Sequence, residues 1–194
     1  MSRFLSNSTI LDRPVGRSQR SAEQNVSLSA FSYLFSEMVQ YHQSRVDSVS
    51  ALEHRLEAAG YGVGLKVLEL LAYRARDYTR QTKLMNMLQF VSTTAWKALF
   101  GKAADSLEKS IDHADEFMIV DYAPITSTSV SVPADLGGLS VDAYISGIIA
   151  GMLQGAGFPA RVTAHTVEEG DRKKAVFLVK FAASVMSRDA TIIG

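Results

Sequence analysis

The segment SVDAYISGIIAGMLQGAGF, Ser140 to Phe158, decides how the rest of the chain is read. Ile145, Ile148, Ile149, Met152 and Leu153 recur at spacings of three and four, the period of one helical face, and Ser140 is the expected N-cap. On either side the period is two. Before it, EFMIVDY (Glu116 to Tyr122) and STSVSV (Ser127 to Val132) are β-rich runs ended by Pro124 and Pro133. After it, Ala160 to Val167 and Ala175 to Phe181 flank the polar, glycine-containing EEGDRKK and predict a hairpin. One helix set among strands implies an antiparallel sheet with a helical layer packed against it, the α+β class.

Working towards the N-terminus, Asp105 to Ile111 is expected as a short polar helix. Ahead of it lies a longer one in which Leu84, Met87, Leu88, Val91, Ala95, Ala98 and Leu99 trace one face, widened by Phe90 and Trp96. Its last turns, TTAWKALFGK (Thr93 to Lys102), end in a Gly-Lys pair. A P-loop needs G-x-x-x-x-G-K-[ST], but Trp96 stands five residues before Gly101 and Ala103 follows Lys102, so the nucleotide reading fails on both sides. Gly101 is instead expected to end the helix in the left-handed conformation, with Lys102 at the negative end of the dipole. Trp96, Leu99 and Phe100 either fill the core under the sheet or anchor an interface.

Further upstream, Val63, Val67, Leu68 and Leu71 mark another helical stripe. The preceding Gly60, Gly62 and Gly64 are spaced G-x-G-x-G after a helix and do not form the dinucleotide fingerprint; a turn with close helix packing is expected. Asp47 or Ser48 can cap a shorter helix carrying Val49, Leu52 and Leu56, with Gly60 as its stop. Leu28, Phe31, Leu34, Phe35, Met38 and Val39 form the first helix, capped by Ser27 or Ser29. That stripe is too broad for one contact, which makes Phe31, Leu34, Phe35, Met38 and Val39, with Leu52 and Leu56, the expected partner interface. Residues 1–25, with Arg3, Arg13, Arg17 and Arg20 among serines, read as a polar arm ahead of a single domain over 26–194.

The chemistry is sparse. Twenty basic residues balance twenty acidic ones, which gives no global attraction to nucleic acid, and the absence of cysteine excludes disulfides, thiolate metal sites and S-acylation. His42, His54, His113 and His165 form no H-E-x-x-H spacing, and no G-x-S-x-G elbow occurs. No catalytic residue, cofactor or metal site is expected, and no apolar run reaches the length of a membrane span.

Taken in order, VSLSAFSYLFSEMVQYHQSRV, LEAAGYGVGLKVLELL, TTAWKALFGKAADSLE, SVPADLGGLSVDAYISGIIAGMLQGAGFPARVTAH and FLVKF resemble the core subunits of the transport protein particle (TRAPP), of the Bet-three type. WKALFGK followed by AD-x-LE, and GFPA-x-VTAH, are the most specific parts. The resemblance implies a two-layer α/β plait with four to five helices on one face of a twisted four-stranded sheet. It also implies a non-catalytic adaptor in a complex that tethers vesicles between endoplasmic reticulum and Golgi and promotes nucleotide exchange on a Rab GTPase. The implied partners are a Bet-three-type subunit, met through the helices, a sedlin-type longin subunit and the other core subunits, on the cytoplasmic face of those membranes. In the Bet-three subunit an acylated cysteine precedes an R-E-T sequence. Here ARDYTRQTK places Arg80, Gln81 and Thr82 on that motif and Arg76 about where the cysteine stands, so the thioester cannot form and only a remnant pocket between helices and sheet is expected. The alternative is a self-sufficient carrier of a hydrophobic small molecule or acyl chain.

Overall fold

A computed structural model of the chain describes residues 26–75, 79–133, 136–169 and 172–193. The N-terminal arm and Arg76 therefore lie outside the described residues. Two helices open the fold, α1 (Leu28–Gln43) and α2 (Val49–Arg74). The serine caps are Ser27 and Ser48, whose hydroxyls accept from the Ala30 and Ala51 amides, each at 3.2 Å. Then come α3 (Leu84–Gln89), a π-helical stretch over Phe90–Ala95, α4 (Trp96–Phe100), β1 (Ser106–Lys109), β2 (Glu116–Asp121), α5 (Ile125–Ser129), α6 (Ala143–Gly155), β3 (Ala160–Glu169), β4 (Arg172–Phe181) and α7 (Ala183–Ile193). The strands form one antiparallel sheet in the order β1-β2-β4-β3.

Strand alternation decides which side of the sheet is inside. The register aligns Val162 with Val179 and Phe117, and Ala164 with Phe177 and Ile119. Except for Ala164, these are at most 3% exposed and meet Ile145, Ile149, Met152 and Leu153 of α6 in the main core. Burying each large α6 side chain contributes about 1.5–3 kcal/mol. The α+β reading with helices packed on an antiparallel sheet holds.

Five local expectations do not. Gly60 is not a stop: α2 runs through Gly60, Gly62 and Gly64, because α6 crosses it at backbone contact. A Cβ on Gly60 would strike the Tyr144 carbonyl, one on Gly64 the Ile148 carbonyl, and in return Gly147 and Gly151 of α6 abut the Glu57 and Tyr61 carbonyls. The glycine spacing is a packing seam, and the helix cost of glycine, about 1 kcal/mol each, is offset by that approach.

The segment 105–111 is not helical. Ser106–Lys109 pairs with β2, a partner 117–120 that outweighs local propensity. Ser127 to Val132 is not a strand. Ile125–Ser129 form α5, while Val130 is extended, has no strand partner among the described residues and packs with Val132 on a second, smaller cluster around Phe35, Leu52 and Leu56. Ser140 is not the cap; Asp142 precedes α6, and the Ser140 carbonyl accepts from the Ala143 amide one turn earlier. Finally, α7 follows the last strand, burying Val185, where no helix was expected.

The π turn has a consequence for the fourth stripe. By inserting one residue into the helical phase, it leaves Ala98 exposed and brings Ser92 and Trp96 inward, while the freed Ser92 carbonyl accepts from the Ala104 amide at 2.8 Å.

Candidate interaction surface

Trp96 sits in the core, 1% exposed, with ring centroids 5.1 Å from Phe100 and 5.6 Å from Phe177; Leu99 and Phe100 are half-buried beside it. Its indole N–H donates to Asp121 Oδ2 at 3.0 Å, and Asp121 is itself buried on the inner end of β2. Gly101, at φ 78°, turns the chain so that Lys102 Nζ reaches Asp121 Oδ1 at 2.5 Å, and the Ala123 amide donates to the same oxygen at 2.9 Å. Burial opposes the charge on Lys102, but the hydrogen bond and charge of Asp121, helped by Asp105, hold its pKa above the ordinary lysine value. The Gly-Lys pair therefore locks the helical layer to the sheet. This is a structural ion pair, not a phosphate cradle.

A second buried acid, Asp142, accepts from Thr126 Oγ1 at 2.5 Å; burial pushes its pKa up, against the hydrogen bonds from Thr126 and Ser127. It fixes the start of α6 to α5. Neither acid lines a groove that stands out among the described residues.

The structure divides the seven expected interface residues. Phe35, Val39, Leu52 and Leu56 are at most 7% exposed and form the α1–α2 contact together with Val141 and Ala143. They close the hairpin from within. Phe31 and Met38 are half-buried, and Leu34 is 73% exposed. Tyr41, not anticipated, is 55% exposed; its spacing of seven from Leu34 and three from Met38 could have found it. Phe31, Leu34, Met38 and Tyr41 thus form one stripe on the outer flank of α1. Arg45 stacks over the Tyr41 ring at 3.6 Å and holds it in place. Tyr61, Leu70 and Tyr73 on α2 are further exposed large side chains.

The space between helices and sheet is filled by Trp96, Met152, Phe158 and Phe177, each at most 2% exposed. Both concavities that stand out among the described residues are open surface grooves. One, of about 410 Å³, lies along Leu28, Ser29, Ser32, Tyr33 and Ser36; the other, of about 490 Å³, lies between α2 and β3. His165, on β3, is exposed and within 2.9 Å of Thr163 Oγ1. His113, Asp115 and Glu116 bring ligand atoms within 4.8 Å of one another, a grouping their near-adjacency in sequence could have suggested. Lys180 already offsets part of the grouping's charge, donating to Glu116 at 2.7 Å and lying 3.8 Å from Asp115; the Glu116 hydrogen bond and charge raise the Lys180 pKa.

The sequence pattern of the family described as transport protein particle (TRAPP) component matches residues 31–182, which contain the α1 stripe, the glycine seam and the Trp96–Asp121–Lys102 lock. The chain belongs to the TRAPP family. It is 45% identical to trafficking protein particle complex subunit 5 of Dictyostelium discoideum, over 93% of this chain and 96% of that one. The human subunit 5 is 42% identical, over 96% and 95%. Subunit 31 of the Saccharomyces cerevisiae complex is 27% identical over 88% of this chain and 81% of its own. These relatives are TRAPP subunits, the family that the sequence motifs resemble. In fold the chain resembles trafficking protein particle complex subunit 3 from Naegleria fowleri covalently bound to palmitic acid, at a TM-score of 0.66 and 18% identity, over 80% of this chain and 95% of that one. The TRAPP chain described here has no cysteine, and among its described residues no helix is long and apolar enough to cross a membrane.

Proposed function

We propose that this TRAPP-family chain is a non-catalytic adaptor subunit, docking through the outer flank of α1 on a Bet-three-type subunit. In that role it serves a complex that tethers vesicles and promotes nucleotide exchange on a Rab GTPase between endoplasmic reticulum and Golgi. The observation that carries the reading is the split of the α1 stripe: Phe35 and Val39 close the hairpin, while Leu34 and Tyr41 stay exposed beside half-buried Phe31 and Met38. Exposed apolar side chains aligned on a helix whose other face is already buried are what a helix-to-helix interface needs. A sedlin-type subunit and the other core subunits complete the assembly, and membrane contact is made by the complex as a whole.

The test is co-expression with a Bet-three-type subunit followed by size-exclusion chromatography with light scattering. A one-to-one complex is expected for the unaltered chain. Leu34→Asp should abolish it while leaving the thermal midpoint unchanged. Retained binding in Leu34→Asp would displace the interface from α1; a monodisperse chain indifferent to the partner would remove the adaptor reading.

A further inference from the structure

Among the described residues, strand β3 is the long edge of the sheet, paired on one side, with β4. In an antiparallel ladder, residues alternate between those bonded to the partner and those whose N–H and C=O point the other way. The phase is fixed by two bonds at the end of the sheet. The Ala182 amide donates to the Pro159 carbonyl and the Phe181 amide to the Asp115 carbonyl, so even-numbered residues of β4 face β3 and odd-numbered ones face β2. It follows that Arg161, Thr163 and His165 bond to β4. The backbone groups of Val162, Ala164 and Thr166 point off the sheet.

They point into the 490 Å³ groove, whose one wall is Arg161 through Thr166. Successive side chains of a strand project to opposite faces, so a groove touched by six consecutive residues runs along the strand's edge. Its other wall is Glu53, His54 and Glu57 of α2, and the turn Gly137–Ser140 closes it. Glu53 is held by the Ser140 amide at 2.7 Å, and Glu57 lies 3.3 Å from His54. The Ser140 hydroxyl, among the groove's lining residues, is buried without a hydrogen-bond partner.

We propose that this groove receives an extended segment of a partner protein, added as a fifth strand beside β3. With α2 standing opposite, the lining fits one added strand rather than a second sheet, and a single strand of about six residues, roughly 20 Å long, matches the lined length. The charges set its chemistry. Carboxylates on the helix wall and Arg161 on the strand wall select a polar, alternating segment with a basic side chain towards Glu57 and an acidic one towards Arg161. This goes beyond the adaptor reading and uses a face other than the α1 stripe.

The experiment follows backbone amide exchange by NMR in the isotope-labelled full chain, within its heterodimer. The probes are the blocked peptide Thr-Lys-Val-Thr-Asp-Val-Thr, whose lysine and aspartate project to opposite faces of a strand, and its reversed sequence at millimolar concentration. Exchange at Val162, Ala164 and Thr166 should slow about tenfold with one of the peptides. Glu57→Lys should weaken the effect. Ala164→Pro should remove it, since that N–H serves no ladder bond. If Ala164→Pro disturbs the fold, Gly138→Trp blocks the same groove, because nothing stands within 4 Å of a Cβ there. Three results would overturn the proposal: no slowing with either peptide, equal slowing in the blocked variants, or amides already slow without peptide, which would mean that the chain covers its own edge. If the heterodimer does not form, the adaptor reading falls, and the same exchange measured in the full chain by itself decides the groove by the same results.

Discussion

Helices α6 and α1 are both rich in apolar residues, yet one is sealed and the other is left open. In α6, ten residues from Ala143 to Leu153 are buried; in α1 only Phe35 and Val39 are. The difference lies in what the neighbouring backbone allows. Gly60 and Gly64 on α2 face Gly147 and Gly151 on α6, so the two main chains touch and no side chain keeps them apart. Helix α1 has no glycine and meets α2 through side chains, which covers one face and leaves its outer flank unpartnered among the described residues. Apolarity alone does not say which helix is core; close backbone approach does.

Gly147→Leu should break the comparison most severely. Its Cβ would strike the Glu57 carbonyl and Cα, groups that yield only if α2 moves. The expected loss is about 4 kcal/mol or more, seen as little soluble protein or a collapsed urea midpoint, since overpacking against rigid backbone lies at the upper end of such effects. A near-normal midpoint would mean that the seam is looser than the contacts describe.

Phe35→Asp comes next. It places a charge where Phe31 stacks at 5.6 Å and Tyr144 tilts at 5.4 Å, with 3% of the side chain exposed. The expected cost is about 3–4 kcal/mol. Leu34→Asp, one residue away, should change stability by less than about 0.5 kcal/mol. Equal denaturation midpoints for the two would erase the distinction between the closed and the open face of α1. Loss of partner binding in Phe35→Asp would carry no information about the interface, because the substitution also disturbs the closed face of α1.

The layer order and the identity of most helices were legible because their stripes repeat over several turns. Trp96, Met152 and Phe177 declare themselves by size and period. The seam was half legible: three glycines at alternate positions suggested close packing, but read as a turn, because nothing local says that a second helix with Gly147 and Gly151 will lie against them. Strand β1 and the irregular Val130–Val132 exchange their expected states for the same reason. Ser106–Lys109 acquires β2 as a partner, while Val130, equally fit for a strand, meets helix α1's cluster and no sheet edge. The stripe of α1 was visible as a whole, but its division into buried and exposed members depends on the path of α2, which no periodicity within α1 records.

Lys102→Met sharpens a third kind of contact, charged where the seam is apolar. Among the described residues it leaves the buried Asp121 carboxylate with the Trp96 and Ala123 donors, and it should cost about 2 kcal/mol near neutral pH. Because the folded-state pKa of Lys102 is raised, its contribution is complete below the unfolded lysine value and disappears as pH rises through the folded one. The gap between variant and wild-type midpoints should therefore narrow in strongly alkaline buffer. A pH-independent gap would assign the loss to packing of the lysine stem.

The smallest effect is expected at the seam's own control position. Gly62 lies between Gly60 and Gly64, on the side of α2 turned away from α6, and a Cβ there would have nothing within 4 Å. It is in a helix interior, with no positive φ requirement. Replacing it with alanine removes backbone freedom from the unfolded chain and adds helix propensity, so Gly62→Ala should raise stability by about 0.5–1 kcal/mol. Gly64→Ala, two residues on, should lower it, because the same methyl group meets the Ile148 carbonyl. Opposite signs from one substitution at neighbouring glycines would locate the seam on one face of α2. Matching signs would mean that helix propensity, not contact with α6, governs the whole run.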